Sequence, residues 1–124
     1  MARVLALTAD LLFGSRIQGD LTTAGDEVEL IADEARLRTR LAEADESAAD
    51  VLVVDLTDGD LDGARIVETL ADEGVLGSIA TLGFYSHVDV QVRERAQRAG
   101  FDLVVPRSRM AREGAQLVES LLSS

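Results

Sequence analysis

The stretch 50–63, DVLVVDLTDGDLDG, constrains this chain most. Its first half is rich in β-branched residues and unbroken by polar alternation, which reads as a strand buried on both faces. Its second half is turn chemistry. Buried strands of this kind belong to parallel sheets covered by helices on both sides. The same unit recurs along the chain. Residues 4–7 (VLAL) predict a first strand, and Asp10 caps a helix over about 11–23 that ends near Gly25. Residues 28–32 (VELIA) predict a second strand. Asp33 caps the next helix, where Ala35, Leu37, Leu41 and Ala44 recur at helical spacing. After the strand at 50–56, Ile66, Val67 and Leu70 give a helix closed by Gly74. Residues 78–84 (SIATLGF) predict a fourth strand. The Ser86-x-x-Asp89 pattern then reads as a capping box for a helix that stops at Gly100. Residues 103–105 form a fifth strand beside Pro106, and a last helix covers about 111–122.

Five strands alternate with five helices, with no internal repeat and no linker. The expectation is one α/β domain over 1–124, a five-stranded parallel sheet with helices on both faces, flavodoxin-like (βα)5 in order. In such sheets the functional crevice lies beyond the carboxyl ends of the strands. Those ends are the segments 8–10, 55–58, 83–86 and 106–108.

Composition narrows the chemistry. With no Cys, thiolate nucleophiles, disulfides and cysteine metal sites are excluded, and the single His87 excludes a multi-histidine metal site within one chain. The net charge of −11 argues against nucleic-acid binding by the whole surface, and no helix-turn-helix is visible. No apolar run approaches the roughly 20 residues of a membrane span, and no signal peptide is visible, so the expected location is the cytoplasm. All twelve basic residues are Arg, which fits a GC-rich genome or a salt-rich cytoplasm equally well. They are unevenly placed: residues 93–124 carry six Arg against four acids, whereas residues 1–92 carry six against nineteen. Arg93, Arg95, Arg98, Arg109 and Arg112, with Arg107, therefore form a candidate partner face. The alternative is that they pair with the protein's own carboxylates.

The residues carry a resemblance to the receiver domains of two-component response regulators, over essentially the whole chain. Asp55 at the end of the third strand, with Gly63 eight residues on, resembles the family's phosphorylated Asp and following Asp-Gly. Ala99-Gly100, a short strand and Arg107 seven residues after the Gly resemble its carboxyl-terminal signature. The departures are as specific. Thr8 and Ala9 stand where receivers place the acidic pair that holds magnesium, and Arg107 replaces the family's Lys, with Pro106 before it. Asp58-Gly59 replaces the usual Met-Pro. The switch Ser/Thr falls on Tyr85 or Gly83 according to how the chain is counted, and Ser86 is the nearest hydroxyl. The chain thus resembles an atypical, stand-alone pseudo-receiver.

The resemblance implies Asp55 as phosphoacceptor, with magnesium on Asp10, Asp55 and the carbonyl of Thr57. Magnesium needs octahedral oxygen ligands and takes one or two carboxylates, so Asp10 and Asp55 meet the minimum, with Asp58 as helper. Against this, Asp10 is one residue past the usual place and reads equally as a helix cap. Arg107 is the expected charge partner of a phosphate or of Asp55 itself, an ion pair that would hold one conformation without phosphate. Tyr85 reads as a rotating switch aromatic or a surface ring. Ser86 reads as a helix cap or a phosphate sensor, and His87 as an exposed helix-start residue or a pH sensor. Gly59 and Gly63 read as turn residues.

The leading expectation is a non-enzymatic signalling module that works by protein–protein contact, its aspartyl phosphorylation degenerate or absent. Its partner would be another signalling protein, such as a histidine kinase or an output protein, or a second copy of itself. The alternatives are a working phospho-receiver and a flavodoxin-like binder of a nucleotide or flavin. The last lacks a glycine-rich phosphate loop and has few rings to stack a flavin.

Overall fold

A computed structural model describes residues 2–43, 49–86 and 89–123. The chain alternates as expected: β1 (Arg3–Leu7), α1 (Leu11–Thr23), β2 (Glu27–Ile31), α2 (Glu34–Ala42), β3 (Val51–Asp55), α3 (Gly63–Asp72), β4 (Ala80–Tyr85), α4 (Val90–Ala99), β5 (Leu103–Pro106) and α5 (Arg107–Leu122). All strand pairs are parallel, and the sheet order is β2-β1-β3-β4-β5. Ala44 and His87, both weighed from sequence, lie outside the described residues.

The period-2 geometry of strands divides the apolar residues between two layers. Leu5, Leu7, Leu52, Val54 and Tyr85 face Leu37, Leu41, Ile66, Val67, Leu70 and Ala96 of α2, α3 and α4. Val4, Ala6, Val51, Val53, Leu82 and Phe84 face Phe13, Ile17, Leu21, Met110, Leu117 and Val118 of α1 and α5. Both faces of β3 are covered, which is why its sequence shows no alternation.

Asp side chains cap three of the helices. Asp10 accepts from Phe13 N at 3.0 Å, Asp33 from Arg36 N at 2.9 Å, and Asp89 from Val92 N at 3.1 Å. The third corrects the reading of Ser86 as a cap. Ser86 is exposed, and its carbonyl accepts from Asp89 N at 2.9 Å, so the helix starts one turn later than the capping-box pattern implies.

Two more expectations change. Helix α5 begins at Arg107, four residues before the periodic segment. Pro106 holds an extended backbone (φ −63°, ψ 148°), and the chain turns straight into the helix after it. A non-helical residue, Glu113 (φ −128°), then kinks α5, although Met110 before it and Leu117 and Val118 after it are all buried. The second change concerns Gly63, which is not a positive-φ turn residue; among the described residues the left-handed non-glycine is Asp62, at φ 51°. A Cβ on Gly63 would lie 2.5 Å from Val54 Cγ1 and 3.2 Å from the Asp55 carbonyl oxygen. Gly63 lets the first turn of α3 press against the end of β3. At Gly59 a Cβ would meet no atom within 4 Å, and φ is not positive, so neither cause demands glycine there.

Candidate functional site

The carboxyl ends of β1, β3, β4 and β5 bring Thr8, Asp55, Ser86 and Arg107 to one edge of the sheet, as the topology requires. Asp55, the last residue of β3, is 2 % exposed. A carboxylate this deep needs donors. Thr8 Oγ1 donates to Asp55 Oδ2 at 2.7 Å. Thr57 donates twice to Asp55 Oδ1, from its backbone N at 2.8 Å and from Oγ1 at 2.5 Å. Thr8 Oγ1 also accepts from Asp10 N at 3.1 Å, so one hydroxyl ties the end of β3 to the start of α1. Gly14 makes room for this: a Cβ there would sit 3.0 Å from Thr8 Cγ2.

The expected ion pair between Asp55 and Arg107 is not formed. Arg107 Nη2 instead reaches Asp10 Oδ2 at 3.2 Å, and the guanidinium lies over the Phe13 ring, 4.1 Å from its centroid. Arg107 is the first residue of α5 and Phe13 belongs to the first turn of α1, so the two helix starts meet there. Phe13 in turn packs on Phe84, with centroids 5.0 Å apart and planes at 50°. The physical reason for the swap is that hydroxyl and amide donors already satisfy Asp55, while a half-buried carboxylate and a ring face hold the larger guanidinium.

As arranged, these groups do not present a magnesium site. Both oxygens of Asp10 accept protein donors, from Phe13 N and Arg107, and so do both oxygens of Asp55. Asp58 accepts from Asp60 N at 2.9 Å and lines a different groove, with Asp62, Asp89 and Arg95. Among the described residues no three His, Cys, Asp or Glu side chains are grouped to hold a metal.

Tyr85 is 6 % exposed and packs in the layer with Leu56, Ala96 and Phe101, which removes the surface-ring reading. The residue opposite Asp55 in register is Phe84, whose ring faces the other layer. Gly83 is filled from outside: a Cβ there would meet Leu56 Cδ1 at 2.7 Å and Phe101 at 3.1 Å. Of the three switch candidates, Ser86 alone is exposed at the crevice.

The arginine face is mixed. Arg95 forks onto Glu68 of α3 at 3.1 and 3.2 Å, while Arg109 and Arg112 approach Glu113 at 3.6 and 3.7 Å. Arg98 is exposed and makes no ion pair among the described residues, and the buried Nε of Arg93 has no hydrogen-bond partner. Sequence reasoning treated Thr8 only as a departure and missed it as the donor to Asp55. It also missed Phe13 as the platform for Arg107. The available signals were a hydroxyl at a strand end and a ring three residues after a capping Asp.

The Phe13 N–H, and then Arg107, hold the Asp10 carboxyl below its ordinary value of 3.8. A depressed carboxyl stabilises the fold above its unfolded pKa, and that contribution disappears as pH falls through the lower folded value. Asp10→Asn keeps the capping oxygen but loses the charge. It is expected to be less stable than the parent in urea near neutral pH. The gap narrows as the pH falls below 3.8 through the lower folded value. A gap that stays constant over the titration would mean the charge contributes nothing.

No protein-family model matches the sequence, and no curated protein matches it. Solved structures do. The signal receiver domain of a signal transduction histidine kinase from Syntrophus aciditrophicus superposes with a TM-score of 0.85 at 17 % identity, covering 99 % of this chain and 91 % of that one. The receiver domain of the TMAO respiratory system response regulator TorR gives 0.84 at 20 % identity, covering 98 % and 97 %. A response regulator from Thermotoga maritima gives 0.83 at 15 % identity, covering 100 % and 99 %. These likenesses run the full length of the chain, so the chain has the receiver-domain fold of response regulators.

Proposed function

We propose that this protein is a signalling module held in one state without phosphorylation, and that it acts by contact with another protein rather than as an enzyme. The observation that carries the reading is the closed hydrogen-bond set on Asp55. Thr8 and Thr57 occupy both carboxylate oxygens, and Arg107 is turned away to Asp10. Aspartyl phosphoryl transfer needs a free carboxylate nucleophile and cations to offset the gathering negative charge. The contact surface is the α4–β5–α5 face, where Arg98 is exposed and unpaired among the described residues. An acidic surface on a second signalling protein, such as a histidine kinase or an output protein, complements it. Among the described residues no helix is long and apolar enough to cross a membrane.

The test is an amide NMR titration with magnesium, then with magnesium and beryllofluoride. Asp10, Asp55, Thr57, Ser86 and Arg107 are expected to stay in place at millimolar metal. Metal-dependent shifts at those residues, spreading through 93–112 on adding beryllofluoride, would replace this reading with a working phospho-receiver.

A further inference from the structure

The crevice has a second half that Asp55 does not line. Between the starts of α1 and α5 is an open hollow of about 420 Å³. Its walls are Phe13 and Arg16 of α1, Arg107 and Ser108 of α5, and Thr57 and Ser86 from the loops after β3 and β4, with Ala111 below. None of these lining side chains is acidic, in a chain with 23 acids against 12 bases. The neighbouring groove between α3 and α4 has the opposite character, with Asp58, Asp62 and Asp89 on its walls.

Two cations stand here for different reasons. The Arg107 guanidinium lies over the Phe13 ring and gives one nitrogen to Asp10, so two contacts orient its fork. A planar guanidinium with remaining N–H groups matches a phosphate edge. Arg16 makes no ion pair among the described residues, although Arg38, Arg65 and Arg95 all find carboxylates on this acid-rich surface. The hydroxyls of Ser86 and Ser108 add donors, and Phe13 with Ala111 adds an apolar floor. The volume lies within the roughly 300–1,000 Å³ of small-molecule sites.

We propose that this hollow binds a phosphate monoester with a planar organic body, of which a mononucleotide is the probe, and holds it non-covalently. The phosphate lies on the guanidinium groups of Arg16 and Arg107, and the body lies toward Phe13 and Ala111. The ligand joins α1 to α5 and the loop after β4, and its binding needs neither metal nor Asp55. The inference goes beyond the proposed function and does not depend on it.

The experiment is an amide NMR titration in phosphate-free, metal-free, low-salt buffer with AMP, adenosine and inorganic phosphate in separate arms. AMP is expected to give saturable shifts at Phe13, Arg16, Ser86, Arg107 and Ser108, with a Kd on the order of 1 mM or tighter. Inorganic phosphate binds the same residues more weakly, and adenosine leaves them unmoved. Arg16→Gln, an exposed change on a helix surface, weakens AMP about tenfold or more, as losing one charge-assisted contact predicts. Asp55→Asn leaves AMP binding intact, which separates this site from phosphorylation. No saturable shift, unchanged affinity in Arg16→Gln, or binding that requires magnesium and Asp55 would each overturn the proposal.

Discussion

Phe84→Ala is expected to lower the unfolding free energy by about 3–5 kcal/mol, the range for truncating a fully buried ring. Phe84 is 1 % exposed, next to last in β4, and paired with Asp55 on one side and Val105 on the other. Its ring lies in the layer under α1 and α5 against Phe13. Its neighbours there belong to a fixed sheet and two helices, so the space left by the ring closes only in part. The loss also reaches the surface, because Phe13 carries the Arg107 guanidinium on its ring. Phe84→Leu keeps most of the volume and is expected to cost less. The measurement is the urea midpoint of both variants with the denaturant slope checked for constancy. A loss below about 1 kcal/mol for the alanine variant would mean that the layer collapses onto the gap.

How much of this was legible in the sequence follows from what each signal depends on. The strand–helix alternation is written in local patterns, because β1 and β3 are apolar on both faces and Asp10, Asp33, Gly74 and Gly100 punctuate the helices. The place of the crevice follows from topology alone. The start of α5 was hidden because Arg107 to Met110 has the polarity of a loop, and only the extended backbone at Pro106 shows that the helix begins there. The role of Gly63 was hidden for a similar reason: its neighbour Val54 is nine residues away in sequence and touches only after α3 folds back. Charge matching offers Arg107 to Asp55 or to a phosphate, because opposite charges are the signal a sequence displays. A buried carboxylate is equally well met by two hydroxyls and an amide, and those donors carry no charge to betray them. Arg107 was free to go elsewhere once that set closed.

The hydroxyl of Thr8 is therefore the atom on which the site turns, and Thr8→Val isolates it. Valine keeps the branched shape of the side chain, including the methyl at Thr8 Cγ2 that a Cβ on Gly14 would approach to 3.0 Å, and puts a methyl in place of the O–H. Two bonds go with it. Asp55 Oδ2 loses its donor at 2.7 Å, and Asp10 N loses its acceptor at 3.1 Å. Leaving a buried polar group unsatisfied costs about 1–3 kcal/mol, toward the upper end where the acceptor is charged. Thr8→Ser makes the opposite cut: it keeps the hydroxyl and drops the methyl, for about 0.8 kcal/mol of lost burial. Hydrogen bonding governs the site if the valine variant is the less stable of the two in urea. Packing governs it if the order reverses. Adding Asp55→Ala sharpens the result, because with no carboxylate to serve, Thr8→Val should lose most of its cost. A cost that persists unchanged in that background would assign the hydroxyl's value to Asp10 N and the start of α1 rather than to Asp55.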